Sequence, residues 1–290
     1  MIFHFTKMHG AGNDFLILDH MGDRDVPPRL YPHEVAFFCH RQFGIGADGL
    51  VMLFRGSSTD AAWRFYNSDG SEAEMCGNAA RCAIKLLHER HFPGSDQVIS
   101  IETKAGVIRG KTLAGDTVEI TLVSEAGKRF EYQERVIQTE KNAFDVYCID
   151  TGVPHAVIEV KDIRSYPIEA VGRLLVSHSA FGPAGANVTF FQRLVGSHIR
   201  STTFERGVER ETLACGTGAA AAAVLFTELY MQSFPVEVAV PGGQLTVDMS
   251  PVSKLLLLRG PAQVCFKVDM AGPEGPFEPP VPFGERKKAK

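Results

Sequence analysis

The chain has 290 residues, 44% of them hydrophobic and 22% charged, which is the balance of a folded globular protein long enough for two domains. A formal net charge of −4 with dispersed basic residues argues against a nucleic-acid-binding surface, and no apolar run is long enough to predict a membrane-spanning helix. Because the first residues also lack the pattern of a secretory signal, we expect a cytoplasmic protein whose 6 cysteines are reduced.

In chain order, the hydrophobic pattern predicts many short strands and few helices. Predicted helices span residues 32–41, 78–90, 168–177 and 218–231. Predicted strands span residues 3–6, 15–19, 49–54, 63–66, 98–102, 107–111, 118–122, 146–149, 156–160, 186–191, 198–204, 236–240, 245–248, 255–258 and 263–268. Each half has one long apolar helix, which must be buried. We therefore predict an α+β fold of two pseudo-symmetric domains, each a strongly curved, mostly antiparallel sheet wrapped around a central apolar helix.

One short motif occurs in both halves of the chain, as EMCGNAA around Cys76 and LACGTGA around Cys215. Phe65 and Phe204 precede their cysteines by the same interval, and an Ala-rich stretch after each cysteine leads into strand-like runs. This self-similarity predicts a duplicated domain that kept its functional loop in both copies.

The pattern pauses near residue 126, which divides the chain into an N-terminal domain at 1–126 and a C-terminal domain at 127–261. We expect a returning strand at about 262–270 to complete the first domain, followed by a Pro-, Gly- and Lys-rich tail at 271–290. The active site is then expected in the cleft between the two domains.

Each repeated cysteine directly precedes a predicted helix. The first turn of a helix has unpaired N–H groups and positive partial charge, which lower the pKa of a thiol placed there. Gly77 and Gly216 follow the cysteines and allow a carboxylate to approach the same N–H groups. Two such motifs facing each other would hold a carboxylate between a thiolate and a thiol. This arrangement suits proton removal from one face of an α-carbon and proton return to the other.

Other uses of cysteine fit less well. The interval from Cys76 to Cys82 is not that of a zinc knuckle, so no metal is expected. The glycine-rich segments 10–13 and 44–47 do not complete a nucleotide-binding motif. Redox exchange between the two repeated cysteines stays open as an alternative. The cysteines in apolar runs are expected to be buried core residues: Cys39, Cys82, Cys148 and Cys265.

Together these motifs resemble the diaminopimelate epimerase family. The resemblance extends from about residue 3 to about residue 268 and is carried by six segments. They are HGAGNDF from His9, NSDGSE from Asn67, CGNAARC from Cys76, GVPH from Gly152, ERG from Glu205 and ACGTG from Ala214.

The resemblance implies a cofactor-independent amino-acid epimerase, an isomerase of lysine and peptidoglycan precursor biosynthesis that interconverts LL- and meso-2,6-diaminopimelate without pyridoxal phosphate. Cys76 and Cys215 match the catalytic acid and base, and His155 and Glu205 match positions that tune the thiols or contact the amine. The matched substrate-binding residues are Asn13, Asn67, Gly77, Asn78, Asn187, Glu205, Arg206, Gly216 and Thr217. We expect a small-molecule substrate, no nucleic-acid or membrane partner, and a homodimer.

Two positions depart from some members of the resembled family, since Gly49 stands where they carry Gln and Val153 where they carry Asn. These departures bear on the pose of the substrate. Two other functions stay open, a racemase of the same fold acting on proline or hydroxyproline, and a non-catalytic thiol redox sensor. Arg206 favours diaminopimelate, because a substrate with one carboxylate would leave this cation unpaired in a closed site.

Overall fold

The structure is a computed structural model that describes residues 1–94, 97–122, 130–139 and 142–278. These residues form four α-helices, one short 3-10 helix and 18 strands. The predicted pause near residue 126 and the end of the predicted tail lie outside the described residues.

The bounds of the elements are as follows. The helices are α1 (Pro32–Cys39), α2 (Gly77–Arg90), α3 (Ile168–Leu175) and α4 (Gly216–Tyr230), with the 3-10 helix at Ser179–Phe181. The first strands are β1 (Ile2–Gly10), β2 (Asn13–Asp19), β3 (Gly49–Phe54), β4 (Ala61–Asn67), β5 (Glu72–Ala73), β6 (Ile99–Thr103), β7 (Gly106–Thr112) and β8 (Thr117–Thr121). The later strands are β9 (Tyr132–Gln138), β10 (Ala143–Asp150), β11 (Pro154–Glu159), β12 (Asn187–Arg193), β13 (His198–Glu205), β14 (Arg210–Glu211), β15 (Val236–Val240), β16 (Gly243–Met249), β17 (Leu256–Pro261) and β18 (Gln263–Ala271).

The predicted fold class is confirmed as α+β, with one large, mostly antiparallel sheet, and all four predicted helices are present. Three strands were missed by the sequence pattern. β5 and β14 have 2 residues each, too few for any periodicity. β9 exposes most of its side chains, so it lacks the alternation of apolar and polar residues that predicts a strand.

The order of strand pairing is repeated in the two halves of the sheet. In the first half, β2 pairs parallel with β3, β3 antiparallel with β4, and β4 parallel with β6. In the second half, β11, β12, β13 and β15 follow the same parallel, antiparallel and parallel order. β8 pairs with β17 and β18 pairs antiparallel with β1, so the sheet is continuous. The repeated order gives the fold its pseudo-symmetry, while the domain boundaries stay a prediction.

The central helices α2 and α4 are covered by this sheet. Residues 219–226 of α4 are all buried, and they belong to the same hydrophobic cluster as the buried face of α2. Burying one large apolar side chain contributes about 1.5–3 kcal/mol relative to leaving it exposed. The packing of both helices therefore fixes the positions of their first residues. Within the described ranges, no helix combines the length and apolar character needed to cross a membrane.

Two of the four cysteines expected in the core are not buried. Cys39 and Cys82 are buried, whereas Cys148 is half-buried and Cys265 is exposed. The expectation for Cys265 is wrong because β18 exposes most of its side chains although several of them are apolar. An apolar run on such a strand does not imply burial.

Candidate active site

Cys76 and Cys215 immediately precede α2 and α4 and are their N-cap residues, both with extended backbone. The two-residue strands β5 and β14 hold the chain before each cysteine against β4 and β13. Each helix therefore directs its first N–H groups, with their positive partial charge, toward the space beside a sulfur.

The beginnings of α2 and α4 lie against each other. A Cβ placed on Gly216 would lie 3.8 Å from Gly77 Cα and 2.7 Å from Leu258 Cδ2. A Cβ placed on Gly77 would lie 3.3 Å from the same methyl group. Because both glycines lack a side chain, the two helix ends share the space above Leu258 of β17. This contact brings the two repeated cysteines to one cleft.

The cleft has a volume of about 1060 Å³ and is lined by residues from both halves of the chain. Asn67 and Arg206 are exposed at its rim, whereas Asn78 is only 2% exposed. His155 does not line the cleft and is buried behind Thr217. The other predicted site residues all line it: Asn13, Asn67, Cys76, Gly77, Asn78, Asn187, Glu205, Arg206, Cys215, Gly216 and Thr217.

Two asparagines connect Cys76 to the second half of the chain. Asn78 Nδ2 donates to Asn13 Oδ1 and to Ala214 O, both at 2.9 Å. Asn13 Nδ2 donates to Asp48 Oδ2 at 2.7 Å, and Cys76 Sγ lies 3.8 Å from Asn13 Oδ1. Ala214 belongs to the second repeated motif, so the Asn78 side chain holds the two motifs together.

The sulfur of Cys215 has a different set of neighbours. It accepts the N–H of Gly218 at 3.4 Å and lies 3.4 Å from Thr217 Oγ1. The imidazole of His155 joins Thr217 Oγ1, 3.0 Å from Nε2, to Thr189 Oγ1, 2.9 Å from Nδ1. A buried line of hydroxyl groups and one imidazole therefore ends at the Cys215 sulfur.

Charged groups at the end of β13 face the same cleft. Glu205 Oε1 accepts a 2.5 Å hydrogen bond from Thr212 Oγ1. The main-chain N–H of Arg206 donates to Asn187 Oδ1 at 2.9 Å, and its guanidinium donates to Ala184 O at 2.7 Å. Asn187 thus fixes the turn that carries Arg206, and the guanidinium stands at the rim beside a neutral carbonyl.

The family model of diaminopimelate epimerase matches residues 5–127 and 147–265, which include both cysteine motifs. The chain belongs to the diaminopimelate epimerase family. It is therefore an isomerase, as the motifs predict.

Curated diaminopimelate epimerases match over nearly their full length. The enzyme of Pelotomaculum thermopropionicum is 38% identical over 276 residues, covering 91% of this chain and 97% of the relative. That of Methanocella arvoryzae is 38% identical over 272 residues, covering 91% of this chain and 95% of the relative. That of Aquifex aeolicus is 36% identical over 276 residues, covering 91% and 96%.

Solved structures of other proteins share the fold. A hydroxyproline epimerase from Agrobacterium vitis superposes with a TM-score of 0.68 at 18% identity, covering 92% of each chain. A phenazine biosynthesis protein of the PhzF family from Bacillus anthracis gives 0.70 at 15% identity, covering 93% of this chain and 99% of the other. At such low identity the likeness extends to the fold alone.

Burial dominates the protonation of both repeated thiols in this epimerase. It raises the pKa of Cys76 to about 11 and raises the pKa of Cys215 as well, and the charge of Glu205 adds to the rise at both thiols. The expectation of a lowered pKa at the helix ends is therefore wrong for this structure. A helix end contributes about 0.3–1 kcal/mol, and at most about 2, whereas burial shifts a pKa by up to about 3–5 units. Both cysteines are thiols near neutral pH.

His155 is neutral throughout the physiological range. Burial and the charge of Arg206 lower the pKa of its imidazole to about 3. The predicted influence of His155 on a thiol therefore acts through hydrogen bonding, since the ring orients the Thr217 hydroxyl beside Cys215.

The sequence motifs did not single out a group of charged residues at the mouth of the cleft. Asp48 Oδ1 accepts a hydrogen bond from Arg41 Nη2 at 2.8 Å, and Arg210 from the second half lies 4.0 Å from the same oxygen. Asp48 follows the glycine-rich segment 44–47, which does not complete a nucleotide-binding motif. Its position directly after that segment was the feature of the sequence that could have identified Asp48 as a residue of the cleft.

Of the two positions expected to depart from the family pattern, Val153 lines the cleft and Gly49 lies behind Phe65. A Cβ on Gly49 would lie 2.7 Å from Tyr66 O and 2.9 Å from Phe65 Cε2, and the Phe65 ring itself lines the cleft. Val153 lines the cleft as well. Where the relatives' amides were expected, this chain presents an aromatic ring and an aliphatic side chain.

Proposed function

We propose that the chain interconverts LL- and meso-2,6-diaminopimelate by proton transfer at one α-carbon, with Cys76 and Cys215 as the acid–base pair. One sulfur, as thiolate, removes the α-proton from one face. The other, as thiol, returns a proton to the opposite face, so the stereocentre inverts without pyridoxal phosphate. The observation that supports this most is that the two repeated cysteines cap two helices whose ends meet at one cleft.

The helix ends supply the seat for the reacting carboxylate. The first N–H groups of α2 and α4, at Gly77, Asn78, Gly216 and Thr217, carry positive partial charge and lack carbonyl partners in their own helix. Negative charge grows on the carboxylate as the α-proton leaves, so donors already aimed at it stabilise the transition state more than the ground state. Asn78 already donates both side-chain hydrogens within the protein, so its contribution to the substrate is its main-chain N–H.

One thiol must ionise before the proton transfer. Its proton passes to solvent as the substrate enters, and the substrate ammonium and the helix N-terminus stabilise the thiolate that remains. The neutral His155 side chain fixes the Thr217 hydroxyl 3.4 Å from Cys215 Sγ and so helps to position this sulfur. The second thiol keeps its proton and serves as the acid.

The far end of the substrate is assigned to Asn13, Asn67, Asn187 and Arg206, with Glu205 beside an ammonium group. Arg206 at the rim exchanges its carbonyl partner for the distal carboxylate, which its planar guanidinium can bind through two hydrogen bonds. This cation favours an amino acid with two carboxylates over proline or hydroxyproline. Either of those would leave the guanidinium charge unpaired in a closed site.

The direct test is exchange of the α-hydrogen with solvent. LL-diaminopimelate incubated in heavy water with fully reduced protein is expected to gain one deuterium at a single α-carbon as the meso isomer forms. Proline, hydroxyproline and glutamate serve as comparison substrates in the same assay. Exchange on one of these and none on diaminopimelate would show that the enzyme acts on that other amino acid. No exchange on any substrate would reject the two-thiol reaction.

We also propose that the protein is a cytoplasmic homodimer, as expected from the sequence. Light scattering of the purified chain measures the assembly, with a mass near twice 31.7 kDa expected.

A further inference from the structure

Among the described residues, Arg81 is the largest side chain that is fully buried, with 0% of its surface exposed. It lies on α2, in the turn that follows Cys76. Its guanidinium donates to Asn78 Oδ1 at 2.8 Å, to Pro261 O at 3.3 Å and to Gly77 O at 3.4 Å. Within the described part of the chain it forms no ion pair with a carboxylate. A cation buried without a counter-charge is costly, so its presence calls for a function.

The surrounding backbone leaves room for this guanidinium at two glycines. A Cβ on Gly10, at the end of β1, would lie 3.0 Å from Arg81 Nη2, and one on Gly260, in β17, would lie 3.1 Å from Arg81 Nε. The charge therefore occupies a fitted space between α2 and strands from both ends of the chain.

The second copy of the motif has no such charge. At the position that corresponds to Arg81, counted from the repeated cysteine, the second half carries the buried Ala220. The second half instead places a carboxylate, Glu205, beside its cysteine, and this charge raises the pKa of Cys215 after the larger effect of burial. The two helix ends are alike in backbone. Glu205 raises the pKa of both thiols, whereas Arg81 adds a buried cation beside Cys76.

Arg81 also fixes which way the neighbouring amides point. A guanidinium only donates hydrogen bonds, so Asn78 turns its oxygen to Arg81 and its Nδ2 to Asn13 Oδ1. At the other end of this series of hydrogen bonds, the carboxylate of Asp48 accepts from Asn13 Nδ2. The orientation of both amides beside Cys76 is therefore set by a charge at each end.

We propose that Arg81 is a positioning residue whose buried charge makes Cys76, and not Cys215, the first of the two thiols to ionise. The proposal deepens the two-thiol function proposed above and rests on it. The ionisable and charged groups that face Cys76 are Arg81 and Cys82 from α2, Glu205 from β13 and Cys215 from the start of α4. Arg81 is the one cation among these groups, and its charge opposes the rise in the pKa of Cys76 that burial and the charge of Glu205 cause.

The test measures ionisation without turnover. Each protein is treated with iodoacetamide, a neutral reagent that reacts with thiolates, over a range of pH, and alkylation of the Cys76 and Cys215 peptides is followed separately by mass spectrometry. The variants are Arg81→Met, Arg81→Lys and the matched control Lys85→Met. Lys85 is a cation one turn further along α2 whose ammonium pairs with Asp116 at 2.7 Å.

In the unmodified protein, Cys76 is expected to reach its alkylation midpoint at lower pH than Cys215. Arg81→Met should slow Cys76 alkylation at a fixed pH about tenfold, which corresponds to a rise of about one unit in the pKa of this thiol, with little change at Cys215. Arg81→Lys should retain most of the rate, and Lys85→Met should change neither thiol.

A lower midpoint for Cys215 than for Cys76 in the unmodified protein would overturn the proposal, even if no Arg81 variant folds. Equal slowing of both thiols in Arg81→Met, or equal behaviour of the Lys and Met variants, would show a structural role only and would also overturn it. The assay contains no substrate. Absence of diaminopimelate exchange would reject the proposed function, whereas the order of alkylation decides this inference alone.

Discussion

Gly218, in the first turn of α4, offers a sharp test of how packing positions Cys215. A Cβ at this residue would lie 2.3 Å from Thr203 Oγ1, 2.9 Å from Thr189 Oγ1 and 3.3 Å from Cys215 Sγ. Both threonines are at most 2% exposed, and their hydroxyl groups are 3.0 Å apart in the line that leads to His155. Both hydroxyl groups are buried and hydrogen-bonded, so in Gly218→Ala we expect the start of α4 to move.

The size of this movement sets the expected effects. Restoring an ordinary contact of about 3.5 Å requires a displacement of roughly 1 Å. Overpacking of this kind costs about 1–3 kcal/mol, and the better helix propensity of alanine offsets up to about 1 kcal/mol. A net loss of about 1 kcal/mol lowers Tm by about 2–4 °C in a chain of this size class. The effect on turnover is larger, because a 1 Å misplacement of a reacting group can cost about 100-fold in rate.

The assay compares thermal unfolding and the rate of diaminopimelate deuteration for Gly218→Ala and Gly22→Ala. Gly22 is the control because a Cβ there meets nothing within 4 Å, so both quantities should stay at the unmodified value. A Gly218→Ala protein with unchanged Tm and unchanged kcat would refute the reasoning. It would mean that the threonine hydroxyls accommodate the methyl group without moving the sulfur.

Three further predictions concern protonation and redox state. Cys76→Ser and Cys215→Ser should each reduce α-hydrogen exchange by several orders of magnitude, because a serine hydroxyl is far harder to deprotonate than a thiol; full turnover in both variants with loss of a redox response would favour the redox-sensor hypothesis instead. In air-saturated buffer without reductant, dissolved oxygen should oxidise the two thiols to a disulfide, and dithiothreitol should recover the lost activity; intact-mass analysis should show a loss of two hydrogens that is absent in Cys76→Ser. The pKa of His155 is about 3 in the fold and about 6.5 when unfolded. The unfolded chain therefore binds the extra proton between these values, and stability should fall as pH drops from about 6.5 toward 3. His155→Gln should flatten this part of the stability curve, and an unchanged slope in chemical denaturation would show that His155 does not cause it.

Much of the fold could be predicted because its signals are local. The four helices were found from apolar periodicity and turn residues, and Cys76 and Cys215 from a motif that occurs twice in one chain. β9 was missed because most of its side chains are exposed, so its sequence lacks the alternation of apolar and polar residues. Its pairing with β10 is visible only in the structure. Burial is decided by what packs over a strand, and for Cys265 that information is absent from its neighbours in sequence.

The parts of the candidate site that were missed depend on contacts between distant segments. Thr189 belongs to the site because its hydroxyl is hydrogen-bonded to His155 on the neighbouring parallel strand. Asp48 belongs to it because its carboxylate accepts a hydrogen bond from the Asn13 side chain. The spacing of residues within one segment does not predict contacts between segments that are distant in sequence. The direction of the thiol pKa shift was also mispredicted, because the helix end is visible in sequence whereas the depth of the surrounding protein is not.

The pairing of β18 with β1 has a consequence for how the chain is made. β1 leaves the ribosome before the other described strands, and its neighbour β18 is the last described strand to do so. Until synthesis is nearly complete, one edge of β1 stays unpaired, and an unpaired edge is a template for association with other chains. The gap between these partners in sequence also makes their pairing slow relative to local hairpins. Truncation a few residues before β18 should therefore yield a chain that aggregates during expression, although every residue of the proposed site is present in it.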